Sequence, residues 1–157
     1  MAKTIVRLVL LLLGILILLG ATLFIALRWG SIPAEIPTRF DGAGQPEELS
    51  PKSALWMMLG VGWLMYVLMS VIARSPALWK NNGGFVRVSA VRIGGKTMLE
   101  PNWLSLDLVS LDVALLFSYL SVCSALSRPL GAWFMPVFFG VLLLSYVVPS
   151  VLMKNIG

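Results

Sequence analysis

Twenty residues without a charge separate Arg7 from Arg28, and three further apolar runs of similar length follow. A helix needs about 20 apolar residues to cross the hydrocarbon of a bilayer. Inside lipid every backbone N–H and C=O must be paired within the protein, which leaves helices as the economical way to place such runs. The chain therefore reads as an all-α membrane protein, a four-transmembrane-helix bundle. Its helices fall at about 4–29, 52–73, 104–126 and 130–153, within a single polytopic domain over 1–157. Lys3 and Arg7 look like the basic start of a signal peptide. The run after them exceeds the about 7–15 residues of such a segment, and no convincing small-residue cleavage site follows, so it is read as a retained span.

Composition supports this class. Apolar residues make up 59% of the chain and charged residues 12%, against roughly 25% charged in soluble domains. The net charge of +5 points to the basic loops of a membrane protein rather than to nucleic acid. With four spans, the N-terminus, middle loop and C-terminus share one side. That side holds Lys3, Arg7, Arg74, Lys80, Arg87, Arg92, Lys96 and Lys154; the other holds Arg28, Arg39, Lys52 and Arg128. The positive-inside rule then makes both termini cytoplasmic and turns the first loop outward.

The first loop, 30–51, carries Pro33, Pro37, Pro46 and Pro51 with Gly42 and Gly44. Proline at this density forbids a long helix, so an ordered extracytoplasmic Pro/Gly loop is expected. Pro33 and Pro37 hold extended backbone and bias the residue before each of them the same way. Gly44 permits a positive-φ turn. Ile36 and Phe40 are then placed to pack on the helix ends, and the loop becomes a cap. Ser50-Pro51 reads as the start of the second helix, with proline in its first turn. Gly60 and Gly62 invite a neighbouring helix to approach.

The cytoplasmic loop, 74–102, holds the turn signal Asn81-Asn82-Gly83-Gly84, then β-prone segments around Val86-Arg87-Val88 and Val91-Arg92-Ile93, then Gly94-Gly95. A short β-hairpin and an amphipathic surface segment both fit it. Ser127-Arg128-Pro129 is a tight connection that makes the last two helices antiparallel neighbours. Pro136 and Pro149 are candidate kink positions in the last helix.

No histidine is present, and Cys123 is the single cysteine. That removes His-ligated metals and haem, multi-cysteine metal sites, and Ser-His or Cys-His nucleophile pairs. No cofactor motif occurs, so no catalytic residue, metal or cofactor is expected, and the chain is read as a non-enzyme. Asp107 and Asp112 are the intramembrane polar candidates. Five residues put them about 140° apart around a helix, so they do not form a paired-carboxylate site. Asp107 is expected in the first helical turn, favoured by the dipole. Asp112, about 7.5 Å deeper, is the candidate for a structural hydrogen bond or a proton site. Ala114, Ser118, Ser121 and Ala125 form a small-residue stripe suited to close packing. Glu47-Glu48 matches no metal-binding loop and is read as solvated surface. Trp29, Trp56, Trp79, Trp103 and Trp133 sit near helix ends as an interfacial belt.

The run Ile32-Pro33-Ala34-Glu35-Ile36-Pro37-Thr38-Arg39-Phe40-Asp41, followed by Gly44-Gln45-Pro46-Glu47 and Lys52, resembles a bacterial multipass membrane family. This is the domain-of-unknown-function 1648 type, which also forms the N-terminal part of SdpI-like immunity proteins. The family pattern reads roughly L-P-x-x-I-P-T-H-F-N-x-x-G-x-P-D-x-W-G-S-K. Here Arg39 replaces the family's His, Asp41 its Asn and Glu47 its Asp, and Leu49-Ser50-Pro51 stands for Trp-Gly-Ser. The resemblance implies a multipass protein of the bacterial cytoplasmic membrane with an extracytoplasmic motif loop. For SdpI-like proteins it further implies immunity against a secreted toxin, coupled to capture of a repressor at the membrane. Those proteins carry further C-terminal helices, which this chain is expected to lack or to have replaced.

Three functions are weighed, and one of them, an intramembrane enzyme, is set aside because the chain has no histidine and no second in-plane catalytic group near Asp112. The leading one is a non-enzymatic accessory, immunity-like or sensor-like membrane protein that binds a partner through Arg39, Phe40, Asp41 and Glu47. The partner would be a membrane or secreted protein, or a second copy of the chain, with the lipid bilayer as surroundings and no nucleic acid. The alternative is a small ion- or proton-coupled transporter centred on Asp112.

Overall fold

A computed structural model describes residues 2–75, 91–93, 96–99 and 103–156. Four helices dominate it: α1 (Ala2–Arg28), α2 (Ala54–Arg74), α3 (Trp103–Ala125) and α4 (Phe134–Ile156). Each contains a stretch long and apolar enough to cross a membrane. Together they mark an integral, multipass membrane protein.

The helices do not pair as two separate hairpins. α3 packs against α1, α2 and α4, whereas α1 and α2 touch each other far less. Sequence spacing explains this centre. α1 turns Gly14, Leu18, Ala21 and Ile25 inward, at steps of four, three and four, the stripe of a close-packed helix pair. α2 does the same with Leu55, Leu59, Gly62 and Tyr66. α3 buries small and polar residues: Ser105, Asp107, Ser110, Asp112, Ala114, Ser118, Ser121 and Ser124. None of its large apolar residues is fully buried, and Leu115 is exposed. In lipid there is no hydrophobic gain from hiding leucine, so small side chains that let backbones approach carry the packing. The stripe Ala114, Ser118, Ser121 and Ala125 is buried along its whole length.

Gly62 permits one such approach, because a Cβ there would lie 2.6 Å from Phe117 Cβ of α3. Gly60 does not; its Cβ would meet nothing within 4 Å, the two residue positions between them, about 200° of helix, having turned it away from the interface. Between α1 and α2, Tyr66 Oη donates to Leu11 O at 2.7 Å. Trp63 Nε1 donates to Thr22 Oγ1 at 3.2 Å.

The first loop is more regular than proline and glycine content suggests. After a short 3-10 turn, Trp29–Ser31, it forms an antiparallel hairpin of β1 (Glu35–Phe40) and β2 (Pro46–Pro51). A two-stranded sheet tolerates proline because each strand has one unpaired edge. Pro37, Pro46 and Pro51 all have register partners, and irregularities flank Arg39. Pro51 is thus a strand residue facing Glu35, and α2 starts at Ala54 rather than at Ser50-Pro51. A second small hairpin pairs β3 (Val91–Ile93) with β4 (Lys96–Leu99). Residues 91–93 and 96–99 thus take the hairpin form. The turn signal at 81–84, the β-prone segment at 85–88, Gly94-Gly95 and Trp79 lie outside the described residues.

The last helix begins at Phe134, four residues later than the sequence suggests, because Leu130 and Gly131 are used in a loop contact. Pro136 consequently falls in its first turn, where proline is tolerated, and Pro149 falls inside it.

Candidate functional site

The hairpin is built onto one end of the bundle. Ile32 and Ile36 are buried with Ala21, Ile25, Leu55, Leu59 and Ala125, so one face of β1 completes the core at the tops of α1, α2 and α3. Pro37 is also fully buried. Phe40 packs on a second cluster formed by Cys123, Leu130 and Phe134. Lys52 ties the base: its Nζ donates to Trp29 O at 3.2 Å and lies 4.9 Å from the Trp29 ring centre. Pro33 is exposed at the entry to the hairpin.

The tip is held by Asp41 and Gly44. Asp41 Oδ1 accepts from the backbone amides of Ala43 at 2.9 Å and Gln45 at 2.8 Å. Asp41 N donates to Gln45 O, and Gly44 N to Asp41 O. This is the local capping for which Asp is favoured in turns. Gly44 has φ +76 and is buried against Gly131, whose φ is +83. A Cβ on Gly44 would lie 2.8 Å from Gly131 O. Leu130 N donates to Gly44 O at 2.9 Å, so the hairpin tip is bonded to the α3–α4 connection.

Four predicted partner residues therefore divide. Asp41 has one carboxylate oxygen committed to the turn, and Phe40 is half-buried as an anchor. Arg39 and Glu47 stand exposed. Arg39 Nη1 lies 3.3 Å from Glu48 Oε2, with the two side chains 71% and 58% exposed. Leu49 is 60% exposed beside them in β2. The exposed side chains of the hairpin thus include Glu35, Arg39, Glu47, Glu48 and Leu49, on a framework anchored to the bundle. Pro33, Pro37, Gly44 and Pro46 all lie in or at the entry of this framework.

The opposite end of the bundle holds Asp107. The expectation of a first-turn acid is corrected: α3 starts at Trp103, its first turn has no acidic residue, and Asp107 lies deeper and 2% exposed. What carries it there is a pair of arginines. Arg7 Nε of α1 donates to Asp107 Oδ2 at 3.0 Å, and Arg7 Nη2 to Ala73 O of α2 at 2.6 Å. Arg74 Nη1 lies 3.6 Å from Asp107 Oδ1. Arg74 also donates to Ser70 O and Arg7 O. One carboxylate thereby joins three helices. Lys3 and Arg7 both lie over the Trp103 ring, at 5.2 and 5.7 Å. Sequence reading found Asp107 without Arg7 and Arg74. The available signal was depth: both arginines sit at the ends of apolar runs, about level with Asp107.

Asp112 lies one turn further in. The Ser145 side chain of α4 faces it, while its Oδ2 is buried without a hydrogen-bond partner. Ser118, Ser121 and Ser124 also carry buried hydroxyls with no partner. Asp107 and Asp112 do not share a site. Among the described residues no group of three or more His, Cys, Asp or Glu side chains converges to hold a metal. Cys123 is buried as a free thiol.

None of the curated proteins and none of the solved structures compared with the chain matches it. A family model does match: residues 16–62 fit a domain of unknown function, DUF1648. The matched stretch runs from within α1 through the hairpin into α2, and over this part the chain is similar to that family.

Proposed function

We propose that the chain is a non-enzymatic accessory membrane protein, immunity-like or sensor-like, that acts by binding a partner at its hairpin. The observation that carries this reading is the contrast between the hairpin's anchored and exposed residues. Ile36, Pro37, Phe40 and Gly44 tie it to the bundle, while Arg39, Glu47, Glu48 and Leu49 are exposed. A connector needs only to join α1 to α2. A connector bonded at its tip to a second loop presents its outer side chains in fixed positions, which lowers the ordering cost of binding. Placement of the hairpin outside the bacterial cytoplasmic membrane, with both termini inside, follows from the Lys and Arg distribution. The test is crosslinking capture from native membranes with the wild-type chain beside an Arg39→Ala, Glu47→Ala double variant. Loss of a specific captured protein from the variant, at equal membrane insertion, is expected. Equal capture by both forms would reduce the hairpin to a connector.

A second reading rests on Asp112. A buried carboxylate oxygen with no partner, facing Ser145 and on the same helix as unpartnered serines, suits a small ion- or proton-coupled transporter. Unchanged proton or solute flux in reconstituted vesicles after Asp112→Asn would remove it.

A further inference from the structure

The Asp107 end carries more positive charge than its ion pairs consume. Arg7 and Arg74 share the single charge of Asp107, and among the described residues Asp107 is the one acid at this end. Among the described residues Lys3 has no carboxylate within ion-pair distance, so that three described cations meet one described anion where three helices converge.

An open cavity of about 470 Å³ lies against these groups, lined by Lys3, Thr4, Arg7, Leu8, Leu11 and Arg74. Its size falls within the roughly 300–1,000 Å³ of small-ligand sites. Its lining is divided along α1. Lys3, Thr4 and Arg7 stand at the end of the helix, with Arg74 across from them on α2. Leu8 and Leu11 continue toward the middle of the span, and Leu8 is 53% exposed. From Lys3 to Leu11 is about 12 Å of helix rise. A charged head above an apolar wall of that depth has the polarity of a lipid, not of a soluble anion, and basic pockets between transmembrane helices bind anionic headgroups.

We propose that this cavity is a binding site for an anionic phospholipid. Its phosphodiester is held by Lys3, Arg7 and Arg74 with the Thr4 hydroxyl, and one acyl chain lies along Leu8 and Leu11. The lipid supplies the negative charge that Asp107 alone does not, and it lies between α1 and α2, which pack on each other less than either packs on α3. The site is independent of the hairpin and of any partner bound there.

The test uses the full chain in a neutral detergent, titrated with phosphatidylglycerol or phosphatidylcholine, with retained lipid counted by native mass spectrometry. The wild type is expected to retain phosphatidylglycerol preferentially. A Lys3→Gln, Thr4→Glu variant, which leaves Arg7, Arg74 and Asp107 in place, is expected to lose about tenfold of that preference, since two unit charges change beside the headgroup. Its thermal midpoint serves as the folding control. Equal retention of the two lipids by the wild type would overturn the proposal, as would an unchanged preference in a folded variant. Displacement of the lipid by millimolar inorganic phosphate would overturn it too, by assigning the cations to a soluble anion.

Discussion

The two ends of this bundle are closed by different physics. At the hairpin end, closure is steric and local. Ile36 and Phe40 fill apolar gaps, Gly44 meets Gly131 backbone to backbone, and Asp41 caps its own turn. At the other end closure is electrostatic and long-range, with Arg7, Arg74 and Asp107 drawn from three helices. Steric closure fixes a surface in place whatever the surrounding ions. Electrostatic closure depends on charge balance and so responds to headgroups. The first suits presentation of side chains, the second an exchange with the bilayer.

The largest expected effect comes from breaking the electrostatic end. Asp107→Asn leaves two arginines without their counter-charge, and removing one member of a buried pair costs about 3–5 kcal/mol. Arg7 retains 19% exposure of its side chain, so the lower part of that range is expected. Equilibrium unfolding in mixed detergent measures it. Replacing Arg7 and Asp107 together by Met and Leu leaves only Arg74, 33% exposed, without its counter-charge and should recover most of the loss. If the double variant is as unstable as the single one, the residues act through packing and not through charge.

Next in size is Gly44→Ala. The substitution combines a positive φ with a Cβ 2.8 Å from Gly131 O, which amounts to about 1–3 kcal/mol of local strain. It should undock the hairpin tip, read as faster amide exchange of Gly44 and Leu130 and as proteolysis near the tip. Gly60→Ala is the matched control: its Cβ meets nothing within 4 Å, and it should change stability by less than about 0.5 kcal/mol. Similar effects of the two would mean that the tip is not docked.

Asp41 tests whether the turn or the outer face matters. Asp41→Ala removes the acceptor for two amides, at about 1–2 kcal/mol confined to the hairpin. Asp41→Asn keeps a carbonyl acceptor and should restore most of the amide protection. A loss of partner capture with Asn as large as with Ala would return Asp41 to the binding surface.

How much of this was legible depends on the range of the interaction. The spans were legible because twenty uncharged residues have one solution in lipid, and the buried stripe of α3 because small residues repeat at helical spacing. The capping role of the first loop was legible from Pro33, Pro37 and Gly44. Its strands were not, because proline signals against a ladder and only the one-sided pairing of a two-stranded hairpin accommodates it. The start of α2 shifted from Pro51 to Ala54 for the same reason. The partners of Asp107 were not legible, since Arg7 is 100 residues away in sequence and only the packing of α1 on α3 brings them together. Leu130 was read as helix because nothing local reveals that its amide is needed by Gly44.

The smallest effect on stability carries the most weight for function. Arg39 and Glu48 form an exposed pair, and such pairs contribute about 0–1 kcal/mol. Arg39→Ala should therefore leave unfolding nearly unchanged, and raising the salt concentration should have as little influence. Partner capture should fall by about tenfold or more if Arg39 seats against the partner as a buried anchor. The separation of the two readouts is the point of the experiment. A structural arginine would lose stability and capture together; a presented one loses capture alone. Glu48→Gln sharpens this further. It frees Arg39 without removing it, so capture should be retained if the guanidinium makes the contact and lost if the pair is recognised as a unit.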